Sequence, residues 1–162
     1  MVYKVLRNPE AMSKSLSEII YCSRVTTTCS EQIDLLIGNI LTAARRTNES
    51  QAITGVMLYN SGYFVQVLEG PSAAVERLFA RIRTDPRHHD IVTLSQRTIA
   101  ARMFPDWAMG FVETEDEPAI ATTLAGAVIN CNEATSNAVR TMLAQSVSRS
   151  RVWGNALPGV DA

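Results

Sequence analysis

Long apolar runs and an excess of charge of either sign are both missing from this 162-residue chain. No apolar stretch approaches the roughly 20 residues of a transmembrane helix, and residues 1–16 lack the apolar core and cleavage site of a secretory signal. Fifteen basic residues against sixteen acidic ones argue against a general binder of nucleic acid or of membrane surfaces. We therefore expect a cytoplasmic protein with no nucleic-acid and no membrane partner.

Metal-ligating and nucleophilic patterns are also scarce. The three cysteines, Cys22, Cys29 and Cys131, are odd in number and lack a paired ligand spacing, so we expect reduced thiols and no metal site. His88 and His89 are adjacent in a charged turn. There is no Ser/His/Asp spacing, no HExxH motif and no carboxylate pair placed for acid–base work. These absences argue against the common hydrolase chemistries.

The most informative stretch that is present covers residues 53–70. Two runs rich in β-branched and aromatic residues flank Asn60-Ser61-Gly62, which favours a β-hairpin with a tight turn. A turn at residues 61 and 62 places Gln66 opposite Met57, among apolar neighbours. Each amide group left unpaired there costs about 1–3 kcal/mol. We therefore expect a polar partner for Gln66.

A strand and an amphipathic helix precede the hairpin. Alternation predicts a strand over residues 18–23, with Tyr21 on the same face as Ile19 and Ser23. From Ser30 onward, apolar residues recur with a helical period, and one further turn of that stripe reaches Asn48. The pattern predicts a core-facing Asn48, and a C-cap role is an equally weighted alternative. Thr47 lies beside Asn48 in that turn. Arg45 and Glu49, in the same turn, are expected to face water.

A second helix is predicted after the hairpin, with Pro71 in its first turn. Arg81 and Asp85, four residues apart, form either a surface ion pair or part of a site. The helix leads into the turn at residues 85–90, which is either a solvated charged loop or a site for an anionic group. The cationic side chains near it are Arg81, Arg83, Arg87, His88 and His89.

Two further strands are predicted, over residues 91–99 and 107–113. In the second strand, alternation places Trp107, Met109 and Phe111 on one face. The element order is then β-α-β-β-α-β with a fifth strand, which predicts an α+β, ferredoxin-like split βαβ fold with two helices on one sheet face.

The C-terminal part has two predicted helices, over residues 119–129 and 133–148, the second capped by Asn132. They carry too little apolar surface to stand alone, so we expect them to cover the bare sheet face or to contact another subunit. The predicted organisation is an extension at 1–16, a binding domain at 17–113, a helical appendage at 114–148 and a tail at 149–162.

Three polar side chains converge in this arrangement. Tyr21, Asn48 and Gln66 can all point between the two helices and the sheet. A phenol and two carboxamides suit edge-on hydrogen bonding to a flat heteroaromatic ring that lies between apolar helix faces. The residues thus predict a site for such a ring.

Several motifs together resemble those of the BLUF domains, blue-light sensors that use flavin. Their order and spacing match over about residues 17–112. The motifs are Ile20-Tyr21-Cys22-Ser23-Arg24, Ala44-Arg45-Arg46-Thr47-Asn48, Ile53-Thr54-Gly55, Phe64-Val65-Gln66-Val67-Leu68-Glu69-Gly70, Asp85-Pro86-Arg87-His88 and Phe104-Pro105-Asp106-Trp107-Ala108-Met109.

The resemblance implies a noncovalently held FAD, with FMN and riboflavin as alternatives. Tyr21 matches the electron and proton donor to the photoexcited flavin. Gln66 matches the glutamine that bridges the tyrosine and the flavin and changes its hydrogen bonding after light. Asn48 matches the asparagine at the pyrimidine edge, with Thr47 beside it, and Ile53 matches a residue that lies against the ring.

The resemblance extends to the far end of the site and to the output. Arg81, Asp85, Arg87 and His88 match positions along the ribityl and phosphate side or the far side of the ring. Trp107 and Met109 match the pair whose exchange between buried and exposed places carries the signal. Three residues depart from the family pattern. Thr47 replaces the Asn or His common before the asparagine, Ala52 replaces a usual glycine and Cys22 replaces a usual serine.

The expected function is therefore a photoreceptor and not an enzyme, because no effector domain is seen in the chain. We expect it to signal through the last strand and the C-terminal helices, to a separate protein partner or through a homo-oligomer. Two alternatives are a small ferredoxin-like hydrolase of the acyl-phosphate type and a regulatory module that binds no flavin.

Overall fold

A computed structural model describes residues 15–27, 30–112, 114, 117–149 and 152–153. The predicted extension up to residue 14, Cys29 and most of the predicted tail lie outside the described residues. The strands are β1 (Leu16–Val25), β2 (Thr54–Asn60), β3 (Tyr63–Pro71), β4 (His88–Ile99), β5 (Gly110–Val112) and β6 (Val152–Trp153). The helices are α1 (Ser30–Ser50), α2 (Ser72–Ile82), α3 (Pro118–Ile129) and α4 (Glu133–Arg149).

The hairpin formed by β2 and β3 has the predicted register. Ser61 and Gly62 form its turn with φ angles of 47° and 88°, the positive values that a tight two-residue reversal needs. Met57 lies opposite Gln66, as predicted. The turn residues therefore fix which face of β3 carries Gln66.

The strands form one mixed sheet in the described part of the chain, in the order β4-β1-β3-β2-β5-β6. β1 lies antiparallel between β3 and β4, and β2 pairs antiparallel with β3 and parallel with β5. The first four strands with α1 and α2 make the predicted ferredoxin-like core. No helix in the described ranges is long and apolar enough to span a bilayer.

Two apolar clusters lie on opposite faces of the sheet. The first joins β1, β2 and β3 to α1 and α2, and includes Tyr21, Ile37 and Phe79. The second joins the other face to α3 and α4, with Leu124 and Leu143 at most 1% exposed. The C-terminal helices thus cover the sheet face that the first two helices leave bare, one of the two predicted outcomes.

The helix caps differ at the two predicted N-termini. Asn132 Oδ1 accepts a hydrogen bond from the Thr135 backbone N–H at 3.0 Å, so the predicted cap of α4 is confirmed. Pro71 was expected in the first turn of α2, but it is the last residue of β3 and directly precedes the helix. The Ser72 N–H at the start of the helix is instead paired with the Ser15 carbonyl.

The predicted turn at residues 85–90 is shorter than expected, because β4 begins at His88 rather than at Ile91. Pairing of β4 with β1 shifts register twice, once beside Tyr21 and once between Cys22 and Arg24. Such bulges re-aim side chains near functional sites. Asp90, with a φ of 51°, lies at the second shift. Because β4 begins at His88, both histidines belong to a strand.

The predicted strand at residues 107–113 is wrong in its first half, because regular pairing begins only at Gly110. As a result, Trp107 does not share the face of Met109: Trp107 packs with the second cluster, against Phe104 at 6.4 Å between ring centroids. Part of the predicted tail is also ordered, since Val152–Trp153 pairs with β5.

Candidate cofactor site

A cavity of about 440 Å³ lies between α1, α2 and the sheet. That volume is in the range of small-molecule sites. Its walls are mostly apolar, and its polar groups are concentrated on the sheet and at the turn before β4. The lining residues are Tyr21, Ile40, Ala43, Ala44, Thr47, Asn48, Met57, Phe64, Gln66, Leu78, Arg81, Ile82, Asp85, Pro86, Arg87 and His88.

Gln66 lies at the centre of a hydrogen-bonded chain on the sheet side of the cavity. The Tyr21 hydroxyl donates to Gln66 Oε1, and Gln66 Nε2 donates to Met109 Sδ at 3.3 Å. All three side chains are at least 96% buried. Because a carboxamide has two N–H groups, Gln66 has a second hydrogen for an acceptor on a ligand.

The Tyr21 phenol is held in its protonated form. Burial raises the pKa of Tyr21 far above its ordinary value, and the negative charge of Asp85 adds to this while Arg87 opposes it. The Tyr21 ring packs against Phe79 at 5.3 Å between centroids. Tyr21 is therefore a neutral donor in a fixed orientation at neutral pH.

Asn48 supplies an unpaired acceptor at the same edge. It lies two residues before the end of α1 and is fully buried, so the core-facing prediction is confirmed and the C-cap alternative is wrong. Its Nδ2 donates to the Ala108 carbonyl at 2.7 Å, and its Oδ1 has no hydrogen-bond partner among the described residues. A buried acceptor left unpaired costs about 1–3 kcal/mol, which a donor on a ligand would offset.

The turn end of the cavity is charged, but its pairing differs from the prediction. Asp85 does not pair with Arg81. Arg87 Nε instead donates to both Asp85 oxygens, at 2.9 and 3.0 Å, and this contact holds the pKa of Asp85 below its usual range. Arg81 lines the cavity and is exposed.

His88 is oriented by two contacts at the same end. Its Nε2 lies 2.9 Å from the Ile82 carbonyl, and its Nδ1 lies 2.8 Å from Ser23 Oγ. Because a carbonyl only accepts, Nε2 carries the hydrogen and donates to Ile82. The ring is 6.2 Å from that of Tyr21 between centroids. His88 is therefore a fixed wall of the cavity.

Eight of the nine predicted binding residues line this one cavity, and Ile53 does not. Ile53 is fully buried beside it, and its N–H donates to the Asn48 carbonyl at 2.9 Å. Ile40, Ala43 and Ala44 line the cavity on α1, where their helical spacing is the signal that could have identified them. Arg45 was expected to face water, yet its Nε donates to the Met109 carbonyl at 3.0 Å.

Two of the three departures from the family pattern have a structural consequence. Cys22 points to the opposite sheet face, where burial raises the pKa of its thiol to about 12, so it remains a thiol at neutral pH. Ala52 has a φ of 55°, a left-handed conformation that costs a non-glycine residue about 1 kcal/mol or more. The usual glycine at that position would avoid this cost.

The donors and acceptors of the site fit the pyrimidine edge of a flavin, which carries carbonyl acceptors and an N–H donor. Gln66 has a free N–H for an acceptor, and Asn48 Oδ1 is an acceptor for an N–H donor. Apolar side chains of Ile40 and Leu78 belong to the walls that a flat ring needs. The fold and the site together define a ferredoxin-like domain with a flavin-type pocket.

Comparisons with known proteins agree with this class. The family model described as BLUF, sensors of blue light using FAD, matches residues 16–110. The photoactivated adenylate cyclase subunit beta of Euglena gracilis is 41% identical over 96 residues, which are 59% of this chain and 11% of that protein. The chain thus aligns with about a tenth of the length of this relative.

Two solved structures resemble the chain over most of their own length. The dark-state structure of BlrB, a BLUF protein, has a TM-score of 0.64 at 35% identity and covers 82% of this chain and 98% of BlrB. The ground-state structure of BlsA has a TM-score of 0.65 at 26% identity, covering 90% and 95%. The chain belongs to the BLUF family, described as sensors of blue light using FAD.

Proposed function

We propose that this chain is a blue-light sensor, that its flavin is FAD and that the flavin lies in the cavity between α1 and α2. The observation that carries this proposal is the buried chain from Tyr21 through Gln66 to Met109, next to the unpaired Asn48 Oδ1. Thr47 and Ile53 support the same edge from α1 and from the start of β2. Arg81 and Arg87 are the cations available to the ribityl and phosphate part, and Asp85 and His88 line the same end of the cavity.

When bound and excited by blue light, a flavin supplies a strong oxidant. Tyr21 is the proposed electron donor, because its neutral phenol lines the cavity. Its hydroxyl proton already lies on a hydrogen bond to Gln66 Oε1. Passage of that proton to the flavin along with the electron would remove the donor that Gln66 Oε1 accepts from, and the amide would then be free to change its partners.

Met109 is the proposed first residue of the output, since it is the protein acceptor for Gln66. It directly precedes β5, which pairs with β2 and with β6. We propose that a change at Gln66 passes through this strand to the C-terminal helices and then to a separate protein partner or a second copy. In this proposal the chain is cytoplasmic and is not itself an enzyme, and Trp107 responds to movement of Met109 from the other face.

The direct experiment is an absorption spectrum of the purified protein before and after blue light, with the flavin then released and identified. We expect a flavin band that shifts reversibly to the red. Tyr21→Phe keeps the ring but removes the donor to Gln66, so flavin binds and the shift is lost. Tyr63→Phe is the matched control, because Tyr63 packs with the other cluster, and it should shift like the wild type.

A protein that takes up no flavin would contradict the proposal. So would a Tyr21→Phe variant with a full red shift. The output step is tested separately by size-exclusion chromatography in light and in darkness, with and without candidate partner proteins. Identical profiles under all conditions would contradict an output through assembly.

A further inference from the structure

The three residues before β5 are held in an unusual way. Each backbone carbonyl of Trp107, Ala108 and Met109 accepts a hydrogen bond from a different residue, one on β2 and two on α1. The donors are the Gly55 N–H at 3.1 Å, Asn48 Nδ2 at 2.7 Å and Arg45 Nε at 3.0 Å, respectively. Regular strand pairing starts only at Gly110, so these contacts replace it in setting the position of Met109.

Arg45 is the one side chain among these donors with no place in the function described so far. It lies one turn before Asn48 on α1 and is only partly buried. Burial lowers the pKa of its guanidinium, which is the cost of directing a cation toward the protein rather than toward water. Arg45 is not among the residues that line the cavity, so an effect of Arg45 on the cofactor has to pass through another group.

That group is Met109. Its carbonyl accepts from Arg45, and its fully buried sulfur accepts from Gln66. A flexible thioether makes a specific contact only when its backbone is fixed, because its three side-chain torsions otherwise allow many positions.

We propose that Arg45 is a positioning residue: by holding the Met109 carbonyl, it keeps the Met109 sulfur in place as the dark-state acceptor for Gln66. This inference rests on the proposed function, in which Gln66 changes its hydrogen bonds in light. Recovery of the dark state then requires the Met109 sulfur to be in position when Gln66 re-forms its hydrogen bond to it. Arg45 thus acts on the lifetime of the lit state, and it does not act on the capture of light.

The test measures the rate at which the red-shifted band decays in darkness. Arg45→Gln removes the charged donor, and we expect recovery at least threefold slower than in the wild type, with flavin bound and the red shift formed. Arg45→Lys keeps a charged donor of similar reach and should restore part of the rate. The neighbouring Arg46 is exposed, so Arg46→Gln is the matched control and should recover like the wild type.

A double-mutant cycle separates positioning from a general loss of stability. Met109→Leu keeps the size of the side chain and removes the sulfur acceptor. If Arg45 acts through that contact, Arg45→Gln should add little further change to the recovery rate of Met109→Leu. The unfolding midpoint of each variant, measured in parallel, gives the purely structural effect.

Two results would overturn the inference: an Arg45→Gln recovery rate equal to that of the wild type, or an Arg45→Gln effect of full size in the Met109→Leu protein. Neither would affect the proposed function, which is tested by flavin uptake and by the red shifts of the wild type and of Tyr21→Phe. The two failures are therefore distinguishable in one set of spectra.

Discussion

The two faces of the sheet bury polar side chains in opposite ways. On the face of α3 and α4, Glu18 is 1% exposed and its Oε1 accepts from Arg97 at 3.0 Å and from Arg140 at 2.8 Å. On the face of α1 and α2, Asn48 is equally buried, yet its Oδ1 has no partner in the described part of the chain. Glu18 is paired within the protein, whereas Asn48 keeps an acceptor for a ligand.

The apolar packing shows the same contrast. Leu124, Val139 and Leu143 fill the second cluster, while Ile40 and Leu78 border an open cavity on the other face. A filled core contributes to stability through every buried methylene, whereas a cavity wall loses contacts that only a ligand restores. Residues such as Leu124 therefore act as packed core, whereas Ile40 and Leu78 leave room for a ligand.

The largest effect should come from truncating the filled face. Leu124→Ala is expected to lower the free energy of unfolding by about 3 kcal/mol, because it leaves a void in a closed core. Ile40→Ala, the matched truncation beside the cavity, should cost about 1 kcal/mol, because Ile40 is only partly buried. Urea unfolding of the flavin-free proteins measures both, and equal losses would remove the contrast.

A somewhat smaller effect is expected at the charged contact of the filled face. Glu18→Gln removes the carboxylate that faces Arg97 and Arg140 and should lower the free energy of unfolding by about 2 kcal/mol. This is less than the usual cost of breaking a buried ion pair, because the Arg97 side chain is exposed to water. Glu76→Gln, at an exposed position of α2, should cost close to nothing.

The same variant tests whether the faces are independent. Flavin at about a hundred times its Kd should stabilise the wild type by about 2.7 kcal/mol relative to the flavin-free protein. Glu18→Gln should keep that increment, because its contacts lie on the opposite sheet face. If flavin did not stabilise the Glu18→Gln protein by this amount, the two sheet faces would be coupled.

The smallest effect concerns pH at the cavity mouth. The pKa of Asp85 is lowered chiefly by its hydrogen bond from Arg87, so the stability it contributes is present above its ordinary pKa of about 3.9 and is lost as the pH falls through the lower folded value. Arg87 is 41% exposed, so solvent limits this contribution to under about 1 kcal/mol. Asp85→Asn should therefore unfold in acid with a slightly shallower pH dependence than the wild type, and a steeper one would contradict the assignment.

Much of the site follows from local patterns in the sequence. The Asn60-Ser61-Gly62 turn fixes the hairpin register and so the face of Gln66, and the helical period of α1 points Asn48 inward. Both rest on interactions between residues close in sequence, whose geometry depends little on the remainder of the fold. The motif resemblance added flavin and light, which the spacing of these side chains does not specify.

The unpredicted features all depend on contacts between distant segments. Trp107 and Met109 alternate like strand residues, but the Trp107 carbonyl makes an isolated contact with Gly55 of β2 and the Met109 carbonyl accepts from Arg45 of α1. Arg45 looked like a surface residue because its partner is a backbone carbonyl 64 positions away. The burial of Glu18 likewise depends on Arg140 in α4. Local periodicity carries no information about such partners.

We propose that Gln66, held by Tyr21 and Met109, is the group through which light changes the protein. The most direct measurement is the light-minus-dark absorption spectrum of Gln66→Leu beside that of Gln96→Leu, since Gln96 is exposed on β4. We expect both variants to bind flavin, Gln96→Leu to show the full reversible red shift and Gln66→Leu to show none. A red shift of normal size in Gln66→Leu would contradict it.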